Sequence, residues 1–381
     1  MKAIQKTALC VLPAAICCLT ACGGNHAIGK NGPTASVGEL KPDRVLSLTL
    51  DENTPPLTPQ IQYVRHDGKE CLAMLGINDD TIRFFDIDTG SEIKQVSFLD
   101  WTDGRSIIGF SFYGETLYLY NYQGCFLFEI DLANNKVIRS TQVELIRDRK
   151  RLMPAAFAGT AYPIVPNGKE TVMTGFLSTE HRTGIEARPV VIVLDEEWKD
   201  TKYYVEYPSE YDSGNWGGGF FYRMPYSTLG GNDKLVLSFG ASESLVVMDL
   251  NTKQTREFSA KSRLIDKIRP YKKKSEITPS SPKEIAWYMS NPSYEEVIYN
   301  PYTNQYYRIY TLPAKDKSFK PVGIITLDGN MNVISEHTLH FAAKPSCPNF
   351  FVTREGLYIQ VDSGSEDKMS FALFDSESLS E

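Results

Sequence analysis

The chain has 381 residues, a formal net charge of −7, 42 % hydrophobic residues and 23 % charged ones. These are ordinary globular values, sufficient for a buried core, and they exclude collagen, coiled coil and wholesale disorder. Aromatic residues reach 12 %, with 21 Tyr and 19 Phe, a bias toward half-buried strands.

Residues 1–21 read as a signal rather than as structure. Lys2 and Lys6 supply a basic start, and residues 7–19 are an apolar run too short for a stable span. Leu19-Thr20-Ala21-Cys22 follows and resembles the bacterial lipobox. By that resemblance Cys22 is acylated and becomes the mature N-terminus. The alternative is an ordinary signal peptide that contains a cysteine. Loss of Lys2 and Lys6, and of no acid, takes the net charge from −7 to −9. An acidic chain suits phosphate backbones poorly, so no nucleic-acid partner is expected. Beyond the N-terminus no window approaches ~20 apolar residues, the length of a membrane span. Gly23 stands where an inner-membrane retention signal has Asp. Residues 23–27 also lack the acidic cluster that resembles a surface-export signal. The expected address is the outer membrane, facing the periplasm, with surface display as the other possibility.

Residues 22–43, rich in Gly, Asn, Pro and Lys, read as the lipidated cysteine and a flexible tether,. From residue 44 the chain is all-β in pattern, with short apolar runs broken by turn residues. Six apolar strands end in Asp, at Asp86, Asp131, Asp195, Asp249, Asp328 and Asp375. Turns rich in Asn, Gly, Thr and Lys follow most of them, a setting in which a short polar side chain bonds nearby backbone. Each of these strands has two candidate strands before it, the innermost at 61–65, 108–113, 162–166, 220–225, 295–300 and 349–353. A more polar strand follows in the first five repeats. Four antiparallel strands recurring every 45 to 79 residues match a propeller blade,.

The last repeat ends at Glu381 without room for its fourth strand. Residues 45–50 form one unassigned strand ahead of the first repeat. If that strand completes the last blade, a six-bladed β-propeller closes over residues 44–381 and its exposed edges vanish. Two β-sandwiches, or a ring of seven or eight blades, are the competing arrangements. The interval between Asp249 and Asp328 leaves room for a further blade. Residues 260–282, however, are mostly Lys, Ser and Pro and read as a long loop with at most a helical turn.

A lipobox, a short linker and a six-repeat all-β domain together resemble the uncharacterised propeller lipoproteins of Bacteroidota, a domain-of-unknown-function family. The Asp-ended strands and the stretch Gly217-Gly218-Gly219-Phe220-Phe221-Tyr222-Arg223 carry the resemblance. It implies a six-bladed propeller, no known activity, and no functional residues to carry over.

Of seven cysteines, Cys22, Cys71, Cys125 and Cys347 survive cleavage. Once Cys22 is lipidated, three remain, which cannot all pair. Cys71 and Cys125 lie in apolar runs and read as buried small hydrophobes. Phosphate loops, HExxH, a GxSxG elbow and Asp-box, WD or kelch signatures are absent from the sequence,. His337 and His340, three apart on a strand, point to opposite faces and do not suit zinc. Residues 362–367 have oxygen-rich spacing compatible with Ca²⁺ but read as a solvated hairpin turn. No metal and no cofactor are expected. Glu295 and Glu296 open an innermost strand. Strand alternation sends the two to opposite faces, which leaves one of them for the central channel and for a carboxylate from another blade.

The connections between blades gather at one end of the channel, and those at 144–159, 209–219 and 260–292 are long,. Trp101 and Arg105 fall in the first junction. Arg147, Arg149 and Arg151 fall in the second, Tyr211, Asn215 and Trp216 in the third, and Trp287 and Tyr288 in the fourth. Aromatic faces beside Arg and Asn suit peptide or carbohydrate recognition, and also suit plugging loops against the blade tops. Arg223, expected on an inner strand, is the favoured contact for an anion. Lys267, Arg269, Lys272, Lys273 and Lys274 read as a solvated basic loop,. The expected function is a monomeric, lipid-anchored, non-catalytic propeller that recognises an envelope protein, peptide or glycan. The alternative is a glycan hydrolase or lyase with its site in the channel.

Overall fold

The computed structural model describes residues 37–56, 58, 60–143, 155–176, 188–212, 214–217, 220–271, 281–315, 319–342 and 345–381. They form six sheets, antiparallel but for one added strand, that are the blades of one propeller. Blade one is Ile61–His66, Lys69–Gly76, Thr81–Asp86 and Glu92–Ser97. Blade two runs from Gly109–Tyr113 to Lys136–Gln142, and blade four from Pro225–Gly230 to Thr255–Ser259. Blade five runs from Ser293–Asn300 to Val333–Leu339. In blade six, Pro345–Val352, Gly356–Val361 and Lys368–Asp375 are joined by the early strand Arg44–Thr49, antiparallel to the last of them. The ring closes as the sequence predicts. The described part of residues 260–292 holds no further blade, only a bridge at Tyr271 and the helix Pro282–Met289.

Burial follows position in the blade. Middle strands such as Pro189–Leu194 are buried throughout, and outer strands such as Lys136–Gln142 alternate with solvent. The apolar clusters lie between blades. Phe84 meets Phe110 and Phe128 between blades one and two, and Leu48, Leu72 and Phe371 meet between blades six and one. Blade-to-blade burial is thus the main cohesive term.

The repeated Asp has a structural task. Asp86 Oδ1 accepts from the main-chain N–H of Asp88 and Thr89, both at 3.0 Å. Asp249 and Asp375 repeat the arrangement with Asn251 and Thr252 and with Glu377 and Ser378. Asp131, Asp195 and Asp328 also accept from the turn that follows them. The bond from Thr89 holds the Asp86 carboxyl below its ordinary pKa, and the bond from Thr252 does the same for Asp249.

Three elements depart from expectation. The innermost strand of blade three is split, with Ala155–Phe157 and Val165–Asn167 both pairing with Glu170–Phe176. In blade four residues 220–223 are a helical turn, and the strand begins only at Pro225, which lacks the N–H a ladder needs,. Part of the expected tether is strand: Gly38–Leu40 adds to blade five, parallel to Val333–Leu339. Close approach requires the glycine there, because a Cβ on Gly38 would lie 2.4 Å from His337 Nδ1. Cys71 is buried and its thiol pKa is raised by burial, while Cys125 is half-buried at a turn. The side chain of Cys347 lies outside the described residues.

Candidate functional site

The inter-blade connections and the loops between second and third strands lie at the same end of the ring,. At that end, blades four and five bring together a polar cluster. The local cause is a bulge in Ser293–Asn300. Tyr294 pairs with Tyr310 and Val297 with Arg308, so Glu295 and Glu296 together oppose the single residue Ile309. A bulge breaks the alternation of a strand. The alternation that would send the two glutamates to opposite faces therefore does not hold here; both are buried, and the Glu295 charge acts on Glu296.

Glu295 is fully engaged. Tyr226 Oη donates to Oε2 at 2.9 Å. Tyr288 Oη donates to Oε1 at 2.7 Å, Ser293 Oγ donates to the same oxygen, and Thr311 Oγ1 does so at 3.3 Å. Lys320 Nζ donates to Ser293 Oγ at 2.7 Å and lies 3.6 Å above the Tyr288 ring. Burial pulls the Lys320 pKa down to about 7, opposed by the Glu295 charge. Burial, and then Glu295, push the Tyr226 and Tyr288 hydroxyls well up.

Glu296 is different. It is 5 % exposed, and its carboxyl meets no donor among the described residues beyond its own main-chain N–H. Burial, and then Glu295, push its pKa well above the ordinary glutamate value of 4.5. A raised carboxyl pKa means that the folded chain holds a proton the unfolded chain releases. Stability therefore falls as pH rises from about 4.5 toward the raised value. Glu296→Gln should raise the melting temperature at pH 7–8, by about 1–3 kcal/mol of stability. The gain should shrink toward zero as melts are repeated down to pH 4.

The helix Pro282–Met289 delivers Tyr288 to this cluster. Ser281 caps it by accepting from Glu284 N at 3.3 Å, and Pro282 starts its first turn,. Adjacent residues on a helix diverge, so Trp287 points into the core beside Tyr222 while Tyr288 reaches Glu295. Phe221 stacks on Tyr288 at 4.3 Å and Tyr162 on Tyr226 at 6.3 Å.

Of the residues singled out for recognition, Tyr288 bonds Glu295. Tyr211, Trp216 and Trp287 are buried in the core of blades three to five. Trp216 Nε1 donates to Glu210 O at 3.1 Å and Trp287 Nε1 to Arg269 O at 3.3 Å. Asn215 bridges Tyr271 and accepts from Gly217 N. These side chains plug the loops against the blade tops. Arg223 lies on a helical turn rather than on an inner strand; it is 1 % exposed, and its Nε donates to Gly217 O. Trp101 and Arg105 sit at the other junction, where Arg105 lies 4.1 Å above Phe126 and pairs with Asp103. Arg147, Arg149, Arg151 and residues 272–274 lie outside the described residues.

Sequence reasoning missed Tyr226, Ser293, Thr311 and Lys320. They come from four separate segments and carry no spacing signal. Two cavities lie elsewhere. One of about 450 Å³ lies between Pro56 and the 362–367 turn, and one of about 530 Å³ is lined by Tyr113, Asn167 and Asp233. Among the described residues no three His, Cys, Asp or Glu side chains converge to hold a metal ion.

Residues 39–338 match the family model described as domain of unknown function DUF4221. No curated protein matches the chain. The crystal structure of a DUF4221 member from Bacteroides vulgatus is similar, with 20 % identity, 88 % of this chain and 97 % of that one covered, and a TM-score of 0.65. Hydrazine synthase from Kuenenia stuttgartiensis is similar at 14 % identity, 82 % and 75 % coverage and a TM-score of 0.44. A protein of unknown function from Bacteroides caccae is similar at 11 % identity, 74 % and 81 % coverage and a TM-score of 0.40.

Proposed function

We propose that this chain, which belongs to the DUF4221 family, is a non-catalytic recognition propeller, held to the outer membrane by lipid on Cys22 and binding an envelope protein, peptide or glycan at the loop end of its channel. One observation carries the reading: two nearly buried carboxyls, Glu295 and Glu296, adjacent on a bulge at the loop end of the ring, beside hydroxyls of Tyr226 and Tyr288 that bond Glu295. Perturbed carboxyls gathered in this way mark functional sites more often than structural ones. Catalysis on a glycan is the weaker reading. Glycosidases place two carboxyls on either side of the scissile bond. Glu295 and Glu296 are neighbours on one bulge, and hydroxyl donors occupy both oxygens of Glu295.

The sequence between Cys22 and Val37 could reach at most about 50 Å if extended, enough to hold a ring near a membrane surface. The test is cross-linking in intact cells, with mass spectrometry of what co-purifies. Wild type should capture a partner that a Tyr288→Phe/Glu296→Gln chain does not. Capture by both alike overturns the site. In the same fractions Cys22→Ala should leave the membrane pellet, and retention there overturns the anchor.

A further inference from the structure

We infer that the cavity of about 530 Å³ lined by blades two, three and four binds an uncharged saccharide, at the end of the ring opposite the inter-blade loops. It is a second site, independent of the cluster at the loop end.

Its walls are hairpin tips, since the turns between first and second strands and between third and fourth lie at this end. Tyr113, Thr116 and Tyr118 come from the first hairpin of blade two and Asn167 from that of blade three. Asp233 and Asn251 come from two turns of blade four. Tyr113 pairs with Thr116 and Asn167 with Glu170, so each of those loops has only two residues,. Tight turns hold the lining in place before a ligand arrives, which lowers the ordering cost of binding. Two bonds fix it further. Asn167 Nδ2 donates to Leu250 O at 3.0 Å, across the seam between blades three and four. Asn251 Nδ2 donates to Asp233 Oδ2 at 3.3 Å.

Those bonds decide the ligand chemistry. Each amide engages its NH₂ group with the wall and keeps its oxygen for a ligand. Among the described residues nothing donates to Asn167 Oδ1, Asn251 Oδ1 or Asp233 Oδ1. The cavity thus offers acceptors from two blades, and a fitting ligand presents several donors spread over a similar width. The Asp233 carboxylate repels phosphates and carboxylates. A peptide brings carbonyls that find few donors here. An ammonium gathers its donors at one point and cannot span two blades. The hydroxyls around a sugar ring meet these acceptors, and Tyr113 supplies the apolar complement. Residues paired across antiparallel strands share a face, so Tyr113, Thr116 and Tyr118 stand together,. Tyr118 is buried with its hydroxyl on Glu129 at 3.2 Å, whereas Tyr113 is 48 % exposed. The open Tyr113 ring is a flat wall for the C–H face of a sugar. The volume falls within the range of about 300–1,000 Å³ usual for small-molecule sites.

Saturation-transfer NMR on the full chain tests this. The probes are cellobiose, lactose, maltose and diacetylchitobiose, with sorbitol as the open-chain match and glucuronate as the anionic one. At least one disaccharide should bind with a Kd of about 1 mM or tighter, and sorbitol and glucuronate should not. Tyr113→Ala should weaken binding roughly tenfold, and Asp233→Asn about threefold to tenfold. Both positions are exposed, and asparagine tolerates the positive φ of 53° at residue 233, so both variants stay folded,. No binding by any of the four disaccharides at about 10 mM overturns the inference. So does binding unchanged in both variants, or equal binding by sorbitol or glucuronate. Sugar binding lost in Tyr288→Phe/Glu296→Gln but kept in both hairpin variants places the sugar at the loop end and also overturns it. The in-cell capture reads the loop-end site alone. Capture that depends on Tyr288 and Glu296 without any sugar binding sinks this site and leaves that reading standing, and the reverse pair of results does the opposite.

Discussion

Deletion of Arg44–Thr49 should unfold the whole propeller. The strand pairs along its full length with Lys368–Asp375, from Arg44 opposite Leu373 to Thr49 opposite Lys368. Leu48 is fully buried and packs with Met369, Phe371 and Leu72 between blades six and one. Two further bonds go, Thr49 N to Gly90 O at 2.9 Å and Arg44 to Tyr358 at 2.9 Å, and a third, Asp375 N to Asp43 Oδ2 at 3.0 Å, loses its support. A buried leucine removed to a cavity costs about 2–5 kcal/mol. Six ladder residues cost about 1 kcal/mol per lost bond. Together these approach the whole stability of a domain, about 5–15 kcal/mol. The deletion also bares an edge of Lys368–Asp375, which invites pairing between chains. Circular dichroism melts should show no cooperative transition, and the protein should sediment as aggregate. A soluble deletion with the wild-type melting temperature would mean that the seam does not hold the ring.

The ring was legible because its signal is repeated. Six Asp-ended strands each report a turn whose main chain donates to the carboxylate, from two consecutive residues at Asp86, Asp249 and Asp375. Closure was legible from a missing strand at one end and a spare one at the other. Elements set by a single local event were not. Residues 220–223 have strand-like composition, but the aromatic groups of Phe221 and Tyr222 pack against Tyr288 and Trp287, and the chain turns helical before Pro225. Gly38–Leu40 looked like linker because its pairing partner lies about three hundred residues away.

The site shows the same limit more sharply. Glu295 and Glu296 drew notice as a pair, and alternation then assigned them to opposite faces. One bulged residue breaks that alternation, and no spacing in the sequence announces a bulge. Tyr288 was chosen for its loop, whereas Thr311 and Lys320 join the cluster through the strand pairing and loop of blade five, and Tyr226 only when blades four and five pack. The buried tryptophans mislead for a related reason. Residue types that make recognition hot spots also make good plugs, and only burial distinguishes the two.

Replacing Arg308 with Met should cost about 3–5 kcal/mol, a melting temperature lower by roughly 5–10 °C. Arg308 is fully buried in the second strand of blade five. Its Nη1 donates to Glu243 O at 2.9 Å and Ala260 O at 3.0 Å. Nη2 donates to Ser242 O at 2.8 Å and Ser244 O at 3.3 Å, and Nε reaches Ser238 Oγ at 3.2 Å. The guanidinium lies 3.8 Å from the centre of the Tyr294 ring. Burial pulls its pKa down to about 10, so it stays charged at neutral pH. Methionine fills the volume but removes the guanidinium donor from four carbonyls of blade four, of which Glu243 O keeps the Ala260 N–H, and each such loss is costly in a dry interior,. Lysine keeps the charge without the fork and should fall between Met and wild type. The effect should reach the site as well. Arg308 pairs with Val297 on one side of the bulge and packs on Tyr294 on the other, so it fixes both ends of the segment that presents Glu295 and Glu296. A variant melting within about 1 °C of wild type would show that blades four and five hold their register without this clamp, and that the bulge is fixed by its own hydroxyl network.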